Sequence, residues 1–210
     1  MTAFGEASET EPASADPVTT RLDEILDELE AVVADNTPVA DAARIDRIER
    51  LEKLRAATAA LQAAESVRFA QSQVAEQLAA EVHPDRIGRG IAEQIGLACR
   101  ISPVMAARRL NTARALWCEL PDTYRQLIAG ELSECLAEVV VTETRHLDPD
   151  LRRQVDQHLV AAGISGMGFK AATGCIRTAA YQADRHGYLE RGRTERQHRR
   201  VGAVRPIPGC

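Results

Sequence analysis

Aromatic side chains are scarce in this chain. They make up 3% of its 210 residues, as one Trp, three Tyr and three Phe. A core must therefore be built from Ala, Leu, Ile and Val, and an Ala-rich composition with few β-branched runs favours helix. Lysine is also scarce, since Lys53 and Lys170 are the only two among 26 basic residues. A bias this strong is typical of a GC-rich genome, so arginine content alone says little about partners.

Long apolar runs and paired cysteine motifs are absent too. No stretch of about 18 apolar residues could span a membrane, and the acidic start lacks the basic and apolar regions of a signal peptide. The five cysteines, Cys99, Cys118, Cys135, Cys175 and Cys210, show no C-x-x-C spacing, which argues against a zinc or redox site. We therefore expect a cytoplasmic protein with reduced thiols, without metal or cofactor, and with no membrane association and no small-molecule substrate.

The net charge of -5 is spread unevenly along the chain. Residues 1–60 hold 14 acids and six bases, whereas residues 86–125 hold seven arginines and three acids, and residues 185–210 seven arginines and two acids. A basic middle and a basic end within an acidic chain point weakly to nucleic acid.

Apolar periodicity predicts an all-α fold. The sequence divides into a disordered leader (1–17), a helical domain (18–185) and an irregular basic tail (186–210), in which "RRVGAVRP" alternates like a strand. The first helix carries an amphipathic row from Leu22 to Val33. Breaks at proline, glycine and Asx/Ser caps predict helices at about 19–35, 41–82, 91–99, 103–119, 121–129, 134–146, 149–160 and 169–184.

The helix predicted at 41–82 would be about 60 Å long, too long for one small globule to cover. Later helices or a second copy of the chain must lie along it, so a homo-oligomer through this helix is expected as one alternative. A heptad-like row indicates its buried seam: Leu54, Ala57, Leu61, Ala64, Arg68, Gln71, Ala75, Leu78 and Val82. Arg68 and Gln71 interrupt the row. Either Arg68 pairs with Glu65 at the surface, or the two residues set the register of a helix interface.

Residues 91–119 resemble a helix-turn-helix. Gly96 is the small residue in the first helix, and Ile101 and Ser102 fill the apolar and capping positions after the turn. Arg100 occupies the turn position, where glycine is usual because positive φ is often needed there. This departure is the main objection to the assignment.

A projection of the second helix separates two faces. Ala106, Leu110, Ala113 and Trp117 form the predicted core stripe. Opposite the stripe lie Val104, Arg108, Asn111, Thr112 and Ala115, with Arg109 and Arg114 at the flanks. Arginine and asparagine can pair bidentately with guanine and adenine edges, so the candidate DNA-contacting residues are Arg108, Arg109, Asn111, Thr112 and Arg114. The alternative is an ordinary solvated face.

The run "ISPVMAARRLNTARALWCELPDTYRQLIAGELSECLAEVVVTETRHLDPD" carries a resemblance to a known family. Its "LP", "GELS" and "LDP" pieces, an Ala/Glu-rich helix upstream and the tail "RRVGAVRPIP" resemble, over about residues 20–208, the actinobacterial thirteen-E-twelve repeat proteins. Their DUF222-like domain precedes HNH endonuclease domains. The resemblance implies an all-helical domain followed by a nuclease.

The residues of an HNH site do not carry over to this chain. Such a site needs a histidine base, an asparagine that orients it and metal ligands. The chain has two asparagines, Asn36 and Asn111, and five scattered histidines. We therefore expect no catalytic, cofactor or metal residues and a partial copy that lacks the nuclease. The predicted function is a non-catalytic helical module that contacts double-stranded DNA; the alternatives are a helical homodimer acting as an interaction scaffold, or a degenerate repeat without function.

Overall fold

The computed structural model describes residues 16–35 and 37–190, and within them the all-α prediction is confirmed. Eight α-helices, two short 3-10 helices and a helical segment at residues 185–190 account for the regular structure of this part, which contains no strand. The α-helices are α1 (Pro17–Ala34), α2 (Asp41–Ala79), α3 (Ile91–Cys99), α4 (Pro103–Cys118), α5 (Pro121–Ile128), α6 (Glu134–Thr144), α7 (Pro149–Ala161) and α8 (Phe169–Ala183); the 3-10 helices are Pro84–Arg86 and Ile164–Gly166.

Local capping chemistry sets the helix starts. Ser102 and Ser133 cap α4 and α6 through their hydroxyls, and Asp148 accepts hydrogen bonds from two backbone N–H groups at the start of α7. A proline in the first turn opens α1, α4, α5 and α7, where its missing N–H costs nothing and its φ suits the helix. The helix bounds therefore fall within a few residues of those that the sequence predicts.

The chain divides into two units, Met1–Ile45 and Asp46–Cys210. In the first unit, Asp16 accepts a hydrogen bond from the backbone N–H of Thr19 and caps α1. Helix α1 buries none of its 18 residues.

The larger unit has an aliphatic core built mainly by α4 to α8. Its largest fully buried side chains are Leu120, Leu127, Leu132, Leu159, Ile164 and Ile176. Ala56 and Ala60 of α2 belong to the same cluster. The turn between α5 and α6 lies directly on α2, because a Cβ added at Gly130 would stand 2.8 Å from the Cβ of Lys53. A second cluster, formed by Ala70, Ile91, Ile95, Ala106 and Leu110, holds α3 and α4 against α2.

The predicted seam of α2 is wrong. Its buried residues are Ala56, Ala60, Ala64, Val67 and Ala70, and only Ala64 belongs to the predicted row. Leu54 and Leu78 are 48% and 57% exposed. The small alanine side chains allow neighbouring helices to approach closely, and the leucines remain on the outer sides of the helix.

Arg68 takes the first of its two predicted roles. Its guanidinium lies 2.6 Å from the Glu65 carboxylate and 5.4 Å from the centre of the Trp117 ring. Trp117 is half-buried and packs edge-on against Tyr124, with ring centres 5.2 Å apart. The prediction that Trp117 belongs to the core stripe is therefore wrong: it lies at the edge of the core, where the Arg68 guanidinium lies over its ring.

Two buried charged residues tie α7 to its neighbours. Asp156 is fully buried and accepts hydrogen bonds from the backbone N–H groups of Asp122 (2.8 Å) and Thr123 (3.0 Å) and from the Thr123 hydroxyl (2.5 Å). Arg152 donates to the Thr144 and Val141 carbonyls, each at 3.1 Å, and pairs with Glu119 after α4. These contacts satisfy groups that burial would otherwise leave unpaired.

The expected leader and tail fall mostly outside the described residues. Residues 185–190 are helical. The alternating "RRVGAVRP" segment and most of the basic tail lie beyond residue 190, and nearly all of the leader lies before residue 16.

Candidate nucleic-acid interface

Helices α3 and α4 meet at a close contact centred on Gly96. A Cβ added at this glycine would lie 3.1 Å from the Ile101 carbonyl oxygen and 3.4 Å from the Cβ of Ala106. Only a residue without a side chain fits there unless the turn shifts. Gly96 is therefore the small residue at the contact between the two helices, as its position in the sequence predicts.

Arg100 adopts the left-handed conformation that the turn requires. Its φ is 54° and its ψ is 40°, in the region that glycine prefers. The backbone N–H of Arg100 donates to the Leu97 carbonyl (3.2 Å), and that of Ile101 donates to the Gly96 carbonyl (2.9 Å). These two bonds form a Schellman motif with Arg100 at the C′ position. The objection raised by the missing glycine is thus answered by the geometry: the turn forms with arginine, at a strain of about 1–2 kcal/mol.

The outer face of α4 consists of Val104, Arg108 and Asn111. All three are exposed, and Val104 is 64% exposed. Within the described chain, the side chains of Arg108 and Asn111 make no hydrogen bond or ion pair to another protein group. The guanidinium of Arg108, the amide of Asn111 and the small apolar side chain of Val104 can thus meet a ligand side by side on the first three turns of α4.

The other predicted residues lie on different sides of the helix. Arg109 and Thr112 line a cleft whose other walls include Gln62 of α2 and Glu138 of α6. Arg114 borders a separate groove along the second half of α2. Ala115, predicted on the outer face, is 5% exposed, so that the prediction is wrong for this residue. The outer face of α4 is therefore shorter than the helical projection predicts. The second half of α4 is buried on more sides than the first half, as Ala113, Ala115 and Leu116 show.

Unpaired positive charge accumulates around α3 and α4. Glu93 is the only acid between residues 86 and 114. No ion pair within the described residues involves any of the six arginines of this stretch: Arg86, Arg89, Arg100, Arg108, Arg109 and Arg114. By contrast, Arg125 lies 2.7 Å from Asp122, and Arg152 and Arg177 pair with glutamates. An anionic partner would compensate charges that the described part of the chain leaves without an ion pair.

Two exposed apolar side chains next to this face were not predicted from the sequence. Leu97 at the end of α3 is 80% exposed, and Met105 in the first turn of α4 is 44% exposed. A projection of α3 like that of α4 would have found Leu97, since it lies away from Ile91 and Ile95. Both side chains flank the turn that presents the outer face.

The described residues form neither a metal-binding cluster nor a membrane-spanning helix. In residues 16–35 and 37–190, no group of three or more His, Cys, Asp or Glu side chains could hold a metal ion. None of the helices described there has the length and apolarity that crossing a bilayer requires.

The sequence pieces that carry the family resemblance have structural roles here. Leu120 is fully buried and Pro121 opens α5, Gly130 contacts α2, and Asp148 caps α7. The family model described as Domain of unknown function (DUF222) matches residues 19–205. The chain belongs to the DUF222 family. The predicted family is thereby confirmed, and the DUF222 match spans both α1 and the α3–α4 pair. No curated protein and no solved structure matches the chain.

Proposed function

We propose that this DUF222 chain is a non-catalytic module that contacts double-stranded DNA through the outer face of α4. The observation that carries the proposal is that Arg108 and Asn111 lie on the same face of α4, both exposed and neither bonded through its side chain to another of the described residues. An α-helix fits the major groove, and residues near the start of the second helix of a helix-turn-helix reach the base edges. DNA as the partner implies the cytoplasm as the compartment.

The chemistry of the face suits base pairs in the major groove. Arg108 can donate two hydrogen bonds to guanine O6 and N7, and Asn111 can pair with adenine N6 and N7, each worth about 1–3 kcal/mol of discrimination. Val104 offers an apolar contact for a thymine methyl group. The surrounding arginines Arg100, Arg109 and Arg114 would bind phosphates, which positions the helix without reading sequence.

The module's proposed role is to place DNA near a nuclease domain. This part of the proposal rests on the resemblance to proteins in which the domain precedes an HNH endonuclease. The chain's two asparagines and scattered histidines do not assemble the residues of an HNH site, so the chemistry would come from another domain. We propose no catalytic residue in this chain.

Fluorescence anisotropy of a labelled duplex of mixed sequence tests DNA binding. We expect binding at 50 mM salt that weakens steeply on going to 200 mM salt, because each neutralised phosphate releases counterions. The double variant Arg108→Ala/Asn111→Ala should weaken binding at least tenfold. Arg153→Ala, which removes an exposed arginine from α7, is the matched control and should leave the affinity within twofold.

Two results would contradict the proposal. One is the absence of salt-dependent binding by the folded chain. The other is an equal loss of affinity in the control and in the double variant, which would assign binding to general positive charge rather than to the outer face of α4.

A further inference from the structure

Helix α1 has an apolar face that no part of its own unit covers. The face consists of Val18, Leu22, Ile25, Leu26, Leu29, Val32 and Val33, and we call it the α1 face. None of these residues is buried, and Leu26 is 58% exposed. An 18-residue helix is marginally stable in water by itself, and an amphipathic helix owes its stability to packing of its apolar face. The α1 face therefore requires a partner.

The charges around the α1 face select the kind of partner. The helix carries Arg21 and five acids, namely Asp23, Glu24, Asp27, Glu28 and Glu30. This negative charge repels DNA and an anionic membrane surface, both of which attract basic helices. The partner that fits is a protein helix with an apolar surface and basic residues beside it.

The start of α2 has that chemistry. Residues 44–54 read R-I-D-R-I-E-R-L-E-K-L, a repeat of base, aliphatic and acid with a period of three. The four aliphatic residues, Ile45, Ile48, Leu51 and Leu54, are all exposed, and we call them the α2 ridge. Beside the ridge, Arg44, Arg47 and Arg50 have no carboxylate partner within the described chain. Heptad spacing does not reveal this repeat, because its period is three residues.

The spacings of the two surfaces are complementary. In the α1 face, Val18, Leu22 and Leu26 form one row at intervals of four residues, and Ile25, Leu29 and Val33 form a second. The α2 ridge has intervals of three, so it turns by about 60° around the helix axis with each successive ridge residue, and a partner helix crosses it at Ile48 and Leu51. A ridge with intervals of three fits the groove between rows with intervals of four, and this packing gives a crossing angle of about +20°, the geometry of left-handed helical bundles.

We propose that the α1 face binds the α2 ridge of a second copy of this chain, and that the exchange is reciprocal across a two-fold axis. The second copy is the occupant because the chain itself supplies both surfaces, with matching intervals, and because the arginines beside the ridge that lack a carboxylate partner complement the acids of α1. A two-fold dimer forms this contact twice and closes the assembly. The interface differs from the seam predicted from heptad spacing, and it does not depend on DNA binding.

Sedimentation velocity of the full chain over a range of concentrations tests the dimer. We expect a reversible monomer–dimer equilibrium. Leu26→Glu in the α1 face and Ile48→Glu in the α2 ridge should each raise the dimer Kd at least tenfold. Leu78→Glu is the matched control, since Leu78 is 57% exposed against 58% for Leu26 and lies outside both surfaces; it should leave the Kd within twofold.

A charge reversal tests the electrostatic part. Arg47→Glu should weaken the dimer about fivefold or more, and adding Glu28→Arg to it should recover part of the loss. Four results would overturn the proposal. The first is a strict monomer up to about 100 µM, and the second is a dimer whose Kd rises as much in Leu78→Glu as in Leu26→Glu. The third is a dimer whose Kd changes in neither Leu26→Glu nor Ile48→Glu, and the fourth is a dimer whose Kd is unchanged by the charge reversal. A strict monomer whose Tm falls in Leu26→Glu and Ile48→Glu would show instead that one chain covers its own surfaces. Circular dichroism of each variant verifies that it is folded.

Discussion

Two buried charged residues of α7 and the exposed arginines of α4 and of the turn before it are used in opposite ways. Arg152 and Asp156 of α7 are buried, and protein groups satisfy them. Arg108 of α4 and its neighbouring arginines are exposed and unpaired within the described residues. The first group holds helices together, and the second leaves its charge available to a partner. Mutations in the first region should therefore change stability, and those in the second should change binding.

The largest expected effect on stability comes from Arg152→Ala. The change leaves Glu119 without its cation and the carbonyls of Thr144 and Val141 without their donor, and breaking a buried pair costs about 3–5 kcal/mol. Chemical denaturation measures the free energy of unfolding. The neighbouring Arg153→Ala is the control and should change it by about 0.5 kcal/mol or less, because its exposed ion pair with Asp150 contributes little. Equal effects of the two variants would contradict the assignment of Arg152 to the buried network.

Asp156→Asn should lower the free energy of unfolding by about 2 kcal/mol at neutral pH. The asparagine side chain keeps one oxygen that can accept a hydrogen bond. Its NH2 group replaces the other oxygen, so one backbone N–H of Asp122 or Thr123 loses its acceptor. Burial raises the pKa of Asp156, and this effect outweighs the hydrogen bonds from Thr123 and Asp122 that lower it.

The sign of the pH dependence of Asp156 follows from that shift. Because the folded-state pKa is above the unfolded one, the folded state holds the proton more tightly. The stability that this group contributes is fully present below the unfolded-state pKa and is lost as the pH rises through the folded-state pKa. The difference between wild type and Asp156→Asn should widen as the pH falls from 7 towards 4. A difference that narrows over this range would show that the hydrogen bonds dominate and that the pKa is lowered.

The smallest expected effect on stability is that of the Arg108→Ala/Asn111→Ala double variant. Neither side chain has a partner among residues 16–35 and 37–190, so the free energy of unfolding should change by about 0.5 kcal/mol or less, as at most exposed positions. Thermal or chemical denaturation of the same preparation used for DNA titration measures it. A loss above about 1.5 kcal/mol would mean that the outer face of α4 supports the fold, and the comparison between the two regions would fail.

Local signals explain why the helices were predictable and why the buried seam was not. Asp148-Pro149 and Ser102-Pro103 mark helix starts through groups a few residues away, so the sequence contains the whole cause. The seam of α2 depends instead on which side later helices approach. Two rows of apolar residues run along α2, and the alanine row is the buried one because it permits closer packing. Spacing alone could not choose between them.

The candidate interface was predictable in part for the same reason. The positions of Gly96, Ile101 and Ser102 in the chain identified the turn, and helical projection placed Arg108 and Asn111 on one face. The projection assumed that one side of α4 is buried along its whole length. Because the second half is covered on further sides, Ala115 is inside and Thr112 borders a cleft. Arg152 and Asp156 gave no signal in the sequence, since nothing local distinguishes a buried charge from a solvated one.

The sequence by itself determined the all-helical architecture, the helix bounds, the family and the turn between α3 and α4, because periodicity, caps and breakers act over a few residues. Only the tertiary structure decided which rows of side chains are buried, which arginines are paired and which face of α4 is free. These properties depend on distances between segments far apart in the chain, such as the contact of Gly130 with Lys53.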